Sequence, residues 1–429
     1  MRFAKCLMFV YVLLVCGVCS AQSVAGMKLD ANAGVPGPKL EQFAGKAPWI
    51  RVRIGRNETV LKLSGKGEVS VGPDDEMKNR APVQKWDLPL EVSRKNGEYF
   101  IRSKKRGLVK WALPNLKIDA AAGGTLNWGD KKYPHTLLLV GMKGKGFDVV
   151  NHVPFEEYLP GVLARELFPN WDLKAFEAQA IAARSYALWE MTMKSGRWYD
   201  LESTTASQAY IGRTTAEKPL KAVKNTEGMV LTWKGRIVPA FYSSAHGGIT
   251  NDASVALFGK TPTIAPLQGR NVGDFAKIGG KSYVWGPVKR DRAMLAKRLA
   301  AYGKVKGISL KGLKGIKNIY VSKKSRFGRP QEFTVVDVSG KKHLVVCEWF
   351  KNGCNYRGSG LPSLKKGQSL KSSFVTIKIV GKSVTFNGRG YGHGVGMSQW
   401  GAQGMALKGY DYKRILSQYY PGAGIAKIY

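Results

Sequence analysis

Apolar and polar residues alternate along a long stretch in the first third of the chain. From Trp49 to about residue 153 the alternation has a period of two, and each short run ends near Gly, Pro or Asn. A period of two places successive side chains on opposite faces of a strand. The pattern therefore predicts a β-rich region, with strands in WIRVRIG, TVLKLSG, LPLEV, EYFIRS, GLVKWAL, HTLLLVG and FDVVNHV.

The period becomes helical after residue 153. The pattern predicts a first helix from Phe155 to Leu167, interrupted by Pro160 and Gly161. Asp172 is placed to cap a second helix that continues to about Lys194 and carries small residues on its packing face. This second helix is the longest that the sequence predicts.

Short strand-like runs follow, with one basic helix over Asp291–Tyr302. The strands are predicted in QAYIG, MVLTWKG, PAFYSS, NIYVS, EFTVVDVSG, HLVVCEW, FVTIKIVG and SVTFNG. Because strands and helices are segregated rather than regularly alternating, we expect an α+β fold. It would comprise a β-rich N-terminal region, a mixed α/β core and a β-rich basic insertion.

Composition adds a constraint on partners. The 429 residues are 44% hydrophobic, which excludes wholesale disorder, and their formal net charge is +38. Such a charge favours a polyanionic partner: nucleic acid, anionic lipid or the acidic polymers of a bacterial envelope. Residues 286–330 hold fourteen Lys or Arg and a single acid, Asp291. This segment forms either a binding face or an ordinary solvated surface.

The N-terminus predicts export. Arg2 and Lys5 precede an apolar run and small residues up to Ala21, a pattern typical of a cleaved secretory signal over residues 1–21. Residues 22–47 are expected to be a tether. No later apolar run is long enough to span a membrane. Export to the periplasm or cell envelope favours envelope polymers over nucleic acid as partners. Only the positive charge of the chain supports a nucleic-acid partner.

Two cysteines remain beyond the signal. In an exported protein, Cys347 and Cys354 suggest a disulfide that closes a small loop. A pair of free thiols is the alternative, because sequence separation does not give the distance between the Cα atoms.

A glycine run marks the C-terminal part of the chain. Seven glycines lie within residues 388–404, GRGYGHGVGMSQWGAQG, and alternate glycines disfavour regular helix or strand. We interpret the run as a ligand-lining loop whose backbone approaches the ligand, with His393, Ser398 and Gln399 facing a cleft. A flexible linker is the alternative, but Tyr391 and Trp400 are unusual in linkers.

Glu166 is the candidate for acid/base chemistry. It lies just before a proline corner, between apolar residues that would raise its pKa and keep it protonated near neutral pH. The alternative is a surface glutamate paired with Arg165 or Lys174, and the local sequence alone favours this alternative.

Other chemistries find little support in the sequence. The segments ESTTASQAYIG and AFYSSAHGGIT are rich in hydroxyls and amides, which suit sugar hydroxyls but also ordinary turns. The sequence contains no HExxH, no paired CxxC, no GxxxxGK[ST] and no GxSxG motif. We therefore predict no metal and no cofactor.

Several of these segments together resemble the SpoIID (stage II sporulation protein D) family, which includes the LytB-like amidase enhancers. The resemblance runs from about residue 48 to the C-terminus and is loose over residues 270–380. It is carried by NHVPFEEYLPGVLARELFPNWDLKAFEAQAIAARSYAL, QAYIG, FYSSAHGGIT and GRGYGHGVGMSQWGAQGMALKGYDYKRILSQYYPGAGI.

The resemblance implies an enzyme of the cell wall. It implies a peptidoglycan lytic transglycosylase that cleaves the MurNAc-GlcNAc bond without water, with a preference for glycan that has been stripped of its stem peptides. Glu166 occupies the position of the family's catalytic glutamate. The residues that match motif positions expected to line the cleft are Gln179, Arg184, Gln208, Tyr210, Ser244, His393, Ser398 and Gln399.

The resemblance also leaves a competing function and a difference. The competitor is a non-catalytic wall-binding protein that positions or stimulates an amidase. Some members carry Cys and His that look like metal ligands, whereas this chain has Tyr242, Ala245 and a lone His246 there. The expected divisions are a signal (1–21), a tether (22–47), a β-rich region (48–153), a SpoIID-like catalytic core (154–285 and 381–429) and a basic insertion (286–380).

Overall fold

The computed structural model describes residues 37–74, 82–144, 146–193, 196–257 and 264–429. The predicted signal and most of the predicted tether lie outside these residues. The described end of the tether packs on the fold: the carbonyl of Pro38 accepts from the Ile237 amide, and Leu40 and Phe43 pack against the largest hydrophobic core.

The region with period two forms a β-sandwich. One sheet has the order β13-β1-β12-β11-β8-β3-β4 and the other the order β10-β9-β2-β5-β6-β7. Leu61 and Leu63 are buried and alternate with exposed residues, as the pattern predicted, and the inner faces of both sheets share one core. The strands are β1 (Trp49–Glu58), β2 (Val60–Ser64), β3 (Glu68–Gly72), β4 (Gln84–Asp87), β5 (Leu90–Lys95), β6 (Glu98–Ser103), β7 (Gly107–Trp111), β8 (Asn115–Asp119), β9 (Thr125–Trp128), β10 (Lys131–Pro134), β11 (Thr136–Gly141), β12 (Phe147–Pro154) and β13 (Leu201–Glu202).

The two predicted helices follow the sandwich as α1 (Phe155–Glu166) and α2 (Leu173–Met193). Pro160 does not interrupt α1, contrary to the prediction, and lies within it. Gly161 permits a close contact, because a Cβ there would lie 2.2 Å from the carbonyl oxygen of Gly212. Asp172 caps α2 as predicted, since its Oδ1 accepts from the Lys174 amide at 2.8 Å.

The remaining elements complete an α+β fold, which confirms the predicted class. Small sheets join β15-β14-β24, β16-β23, β17-β22-β21 and β18-β19-β20. These elements are α3 (Glu217–Asn225), β14 (Met229–Trp233), β15 (Arg236–Ile237), β16 (Tyr242–Ser243), α4 (Ala253–Ala256), β17 (Val284–Asp291), α5 (Arg292–Lys306), β18 (Asn318–Lys324), β19 (Pro330–Val336), β20 (Lys342–Val346), α6 (Cys347–Cys354), β21 (Val375–Val380), β22 (Ser383–Arg389), β23 (Met397–Ser398), α7 (Gln399–Ala406), α8 (Tyr412–Tyr419) and β24 (Gly424–Lys427).

A separate hydrophobic core runs from Trp285 to Phe386 and overlaps the predicted basic insertion. It includes the predicted basic helix, now α5, whose N-cap Asp291 accepts from the Met294 amide at 2.8 Å. The insertion also contains α6, which the strand pattern did not predict. Within the described ranges, no helix is long and apolar enough to cross a membrane.

The predicted disulfide is wrong. Cys347 and Cys354 are buried free thiols at opposite ends of α6. Seven residues of α-helix separate their Cα atoms by about 10.5 Å along the axis, well beyond the span of a disulfide. Burial raises the pKa of Cys347 to about 11 and that of Cys354 to about 12, so both stay protonated.

Candidate active site around Glu166

Glu166 is the last residue of α1, and its carboxylate joins three distant segments. Oε1 accepts from the backbone amide of Ala209 at 3.1 Å, and Oε2 accepts from Nε2 of Gln399 at 3.0 Å. Ala209 lies in the hydroxyl-rich segment, and Gln399 lies within the glycine run as the first residue of α7. The carboxylate is therefore held from both sides by fixed donors.

Burial is the dominant influence on this carboxyl group. It raises the pKa of Glu166, while the donors from Gln399 and Ala209 and the charge of Arg165 oppose the rise. No ion pair joins Glu166 to Arg165 or Lys174 in the described part of the chain, and Nζ of Lys174 instead donates to the Gly409 carbonyl. The alternative that the local sequence favoured, a paired surface glutamate, does not match this environment.

A buried hydrogen-bond chain supports the Ala209 side of the site. The hydroxyl of Tyr158 donates to Oε1 of Gln208 at 3.0 Å, and Nε2 of Gln208 donates to the Tyr242 hydroxyl at 3.1 Å. Burial raises the pKa of Tyr242 well above its usual value, and the charge of Glu166 adds to this rise. Tyr242 is therefore a protonated phenol near the carboxylate.

Tyr242 was not among the residues that the sequence predicted to line the cleft, and it was noted only where metal-binding relatives differ. Its alternation with Ser244 in the strand-like run AFYSS was a usable signal. β16 pairs in parallel with β23, with Tyr242 opposite Met397 and Ser243 opposite Ser398. This pairing brings the hydroxyl-rich segment and the glycine run together.

His393 braces this strand pair. Its Nδ1 accepts from the Val395 amide at 3.0 Å, so Nε2 carries the proton that is donated to the Tyr242 carbonyl at 3.0 Å. Burial lowers the pKa of His393 to about 4, so the ring is neutral. Both ring nitrogens bond the backbone, whereas the sequence predicted that this side chain faces a cleft.

The glycines of the run face the protein itself. Gly396 has φ +67°, and a Cβ there would lie 2.0 Å from the Phe241 carbonyl oxygen. Gly394 has φ +80°, and its Cβ would collide with the guanidinium of Arg329. The interpretation of these glycines as places where sugars approach the backbone is corrected at these two positions, because protein atoms occupy the space.

Two of the predicted cleft residues are core residues. Arg184 is fully buried in a bidentate pair with Glu156, at 2.8 Å to each carboxylate oxygen, and also donates to the Met229 carbonyl. The buried Tyr210 hydroxyl donates to Asn151 at 2.9 Å. Their side chains hold the helices and the sandwich together and are not brought to Glu166.

The other predicted cleft residues are distributed around the site. Gln179 is fully buried, and its amide has no hydrogen-bond partner among the described residues. Ser398 is a helix cap, accepting from the Gly401 amide at 3.1 Å. Ser244 is half-buried and its carbonyl accepts from the Trp400 amide at 3.0 Å. Of the predicted cleft residues, Gln399 thus bonds Glu166 directly. Gln208 is the chain neighbour of Ala209, whose amide donates to Glu166.

An aromatic cluster lies close in sequence to Glu166 and Gln399, and the sequence did not predict it as a unit. The rings of Phe168, Trp171 and Trp400 lie 4.8 to 5.5 Å apart between centroids. Phe168 follows Glu166 by two residues and Trp400 follows Gln399 by one. Phe168 is 53% exposed, so it presents an apolar surface at the edge of the site.

Metal ligation has no cluster to support it in these ranges. Where the structure describes the chain, no three His, Cys, Asp or Glu side chains gather as a metal site would require.

The sequence matches a family model and is similar to several known proteins. Residues 143–233 match the family model SpoIID, stage II sporulation protein. An uncharacterized protein of Brachyspira hyodysenteriae is 28% identical over 65% of this chain and 68% of its own length. Stage II sporulation protein D of Bacillus subtilis is 26% identical over 65% of this chain and 76% of its own length.

The amidase enhancer of Bacillus subtilis is 29% identical over 62% of this chain, but the match spans only 39% of that protein. The matched family segment contains Glu166, Ala209 and α2, and the relatives' matches cover most of the chain. The chain thus carries a match to the SpoIID domain and is similar to stage II sporulation protein D and to the amidase enhancer, which confirms the resemblance found in its motifs.

Proposed function

We propose that this chain is an exported peptidoglycan lytic transglycosylase that cleaves the MurNAc-GlcNAc bond and leaves 1,6-anhydroMurNAc ends. The observation that carries the proposal is the environment of Glu166. A half-buried carboxyl group with a raised pKa is held between the Ala209 amide and Gln399, at the junction of the family's motifs. Such a group suits proton transfer to a leaving oxygen.

The reaction needs a single carboxyl group in two protonation states. Protonated Glu166 gives its proton to the glycosidic oxygen as the bond from C1 of MurNAc to that oxygen breaks. The resulting carboxylate then takes the proton of the MurNAc 6-hydroxyl while O6 forms a bond to C1. The proton count is restored and no water is consumed.

The environment of Glu166 serves both states. Burial favours the neutral acid before cleavage, and the donors from Ala209 and Gln399 stabilise the carboxylate that follows. Each carboxyl oxygen accepts one of these donors and retains a second lone pair for the substrate proton. The proposed route needs one carboxyl group, unlike that of ordinary glycosidases, which use a pair of carboxylates.

Two neighbours would position the sugars. Tyr242 accepts from Gln208 and keeps its own proton, so its O–H can donate to a substrate oxygen. The exposed ring of Phe168 offers an apolar face to a sugar ring at the border of the site. Gln208 and Gln399 act mainly by holding Ala209, Tyr242 and Glu166.

The test is product analysis with Glu166→Gln. Purified protein lacking residues 1–21 should release anhydro-muropeptides from peptidoglycan, detected by mass spectrometry, and Glu166→Gln should lower the rate by at least about 100-fold because the amide cannot donate a proton as an acid does. Glu217→Gln, at an exposed carboxylate of α3, is the control and should retain full activity. Normal turnover by Glu166→Gln would remove this residue from the mechanism.

Substrate preparation tests the preferred form of the glycan. Intact peptidoglycan and peptidoglycan pretreated with an amidase should be compared in the same assay. Faster release from the treated glycan would support the preference for peptide-stripped strands that the family resemblance implies.

A second candidate is a non-catalytic wall-binding protein that positions or stimulates an N-acetylmuramoyl-L-alanine amidase. The similarity to a protein named amidase enhancer favours it. This candidate predicts sacculus binding without anhydro ends, and faster amidase turnover when the protein is added. Glu166→Gln would then leave the stimulation unchanged.

Export and the net charge fit either role. A chain with a charge of +38 would be concentrated by acidic envelope polymers. We propose the periplasm or cell envelope as its location, to be checked by fractionation and by sequencing the N-terminus of the processed protein.

A further inference from the structure

An open depression of about 470 Å³ lies on the outer face of the seven-stranded sheet, away from Glu166. Cross-strand pairing builds it: Thr136 of β11 stands opposite His152 of β12 and opposite Asp119 of β8. Directly paired residues share one face of a sheet. Trp49, the first residue of β1, closes one side of the depression.

The indole of Trp49 is held by two imidazoles but remains 42% exposed. The His135 ring lies 5.1 Å from it at 74°, and the His152 ring lies 5.0 Å from it at 57°. His135 has φ +62°, an uncommon conformation for a residue other than glycine. Its Nε2 lies 2.9 Å from the carboxylate of Glu157. The aromatic surface is therefore fixed in place before any ligand arrives.

The polar groups of the depression are balanced in charge. Oδ1 of Asp119 accepts from the Thr136 hydroxyl at 2.6 Å, and Oδ2 lies 3.6 Å from Nζ of Lys117. Because the Glu157 carboxylate can only accept, Nε2 of His135 carries the proton that is donated to it. The depression thus offers hydrogen-bond donors and acceptors, and side chains of both charges, beside an apolar ring.

We propose that this depression is a second saccharide-binding site, which holds an uncharged stretch of glycan against Trp49. A fixed, exposed indole suits the apolar face of a pyranose ring, and the mixed polar groups suit its hydroxyls. A polyanion is the less suitable ligand here, because the ammonium of Lys117 is offset by the carboxylate of Asp119 and the Nε2 proton of His135 is already donated to Glu157. The depression differs in this respect from the strongly basic chain around it.

The site is distinct from the candidate active site but linked to it through α1. Glu157 lies in the first turn of α1 and Glu166 is its last residue, which separates them by about 13.5 Å along the helix axis. Only the identity of the polymer rests on the proposed function. The depression would anchor the strand while Glu166 acts on another part of the polymer.

Binding can be measured without cleavage in the Glu166→Gln background. The probes are peptide-stripped sacculi in a pull-down and soluble N-acetylglucosamine oligomers in calorimetry. Trp49→Ala should weaken both affinities by at least about threefold, the scale of losing one aromatic contact. Trp198→Ala removes an equally exposed indole (44%) outside the depression and should change neither affinity.

Further variants separate a lost site from a lost fold. Trp49→Tyr should recover most of the affinity, and circular dichroism should show the same melting temperature for all variants. If Trp49→Ala unfolds the sandwich, the glycan affinities of Trp49→Tyr and His135→Ala are compared instead. His135→Ala should then bind glycan more weakly than Trp49→Tyr. Unchanged glycan affinity in Trp49→Ala, or in His135→Ala where Trp49→Ala does not fold, would overturn the proposal. A loss confined to a polyanion such as polyphosphate would also overturn it.

The outcome is independent of the catalytic proposal. With Glu166 intact, Trp49→Ala should cleave short soluble glycan at the parent rate and long insoluble glycan more slowly. If no anhydro product forms at all, the transglycosylase proposal fails, while the Trp49-dependent affinity still stands or falls by the binding data.

Discussion

At the residue scale, two donors that lie far away in sequence, the Ala209 amide and Nε2 of Gln399, hold the carboxylate of Glu166. The local sequence offered Arg165 and Lys174 as partners, and only the fold shows the carboxylate turned toward Ala209 and Gln399. A backbone amide such as that of Ala209 leaves no trace in residue identity, because every residue except proline carries one. The Ala209 amide, which donates to the candidate catalytic carboxylate, was therefore the hardest of these contacts to predict.

The residues at motif positions include core residues as well as residues at the candidate site. Arg184 and Tyr210 match motif positions, yet in this chain Arg184 bonds Glu156 within the core and Tyr210 bonds Asn151. The small residues around Arg184 on α2, such as Ala180 and Ala187, already indicated a packing face. That signal, read together with the motif, would have placed Arg184 in the interior.

The hydrogen bond from Gln399 predicts a pH effect. It stabilises the carboxylate, so removing it in Gln399→Leu should raise the pKa of Glu166 further. Since the protonated acid starts the reaction, activity falls as pH rises through this pKa. The alkaline limb of kcat/KM for anhydro-product release should therefore move to higher pH.

Gln418→Leu is the control for this measurement, because Gln418 bonds the Val272 carbonyl and does not contact Glu166. Its pH profile should overlie that of the parent. An alkaline limb that moves to lower pH in Gln399→Leu would contradict the assigned role of this hydrogen bond.

At the element scale, helices were easier to predict than the glycine run. The bounds of α1 and α2 follow from apolar periodicity and from the Asp172 cap, which are local signals. The glycine run was identified as special, but its contacts are with segments far away in sequence. Sequence alone shows that a side chain is excluded there, and not which atoms exclude it.

Arg329 supplies one of those distant contacts. Its guanidinium is fully buried and donates to the carbonyls of His246 at 3.0 Å and Ile249 at 2.6 Å, beside Gly394. A lysine cannot present the same fork of donors to these carbonyls. Arg329→Lys should therefore lower the free energy of unfolding by about 2–4 kcal/mol, measured by urea denaturation.

Arg326→Lys tests whether this loss is specific. Arg326 is exposed and lies three residues before Arg329, so the same chemical change should cost less than about 0.5 kcal/mol. Equal stability of the two variants would show that the buried guanidinium does not hold the glycine run.

At the scale of the whole molecule, the class of fold was predictable and the pairing of its strands was not. β1 pairs with β12 about one hundred residues later, and short β13 joins the same sheet from beyond both helices. Such pairings depend on contacts across the whole chain and not on local pattern. The basic segment was visible in the sequence, yet its own hydrophobic core and its contact with the glycine run through Arg329 required the structure.

The uneven charge predicts separate roles for the insertion and the sandwich. Lys297, Lys304 and Lys306 are exposed on α5, so replacing all three with Gln removes three positive charges from the insertion. The triple variant should bind cell wall that carries anionic polymer more weakly than the parent at low ionic strength, by about threefold or more in a pull-down. The difference should vanish near 0.5 M salt, because screening then acts within a few ångströms.

A matched triple variant in the sandwich distinguishes local from total charge. Lys62, Lys110 and Lys131 are also exposed, and replacing them with Gln changes the net charge by the same amount. If the insertion provides the anion-binding face, this control should bind the anionic wall nearly as the parent does, and both triples should bind uncharged glycan equally. Equal losses in the two triples would show that total charge alone attracts the chain to the wall, since diffuse attraction depends on net charge and not on its location.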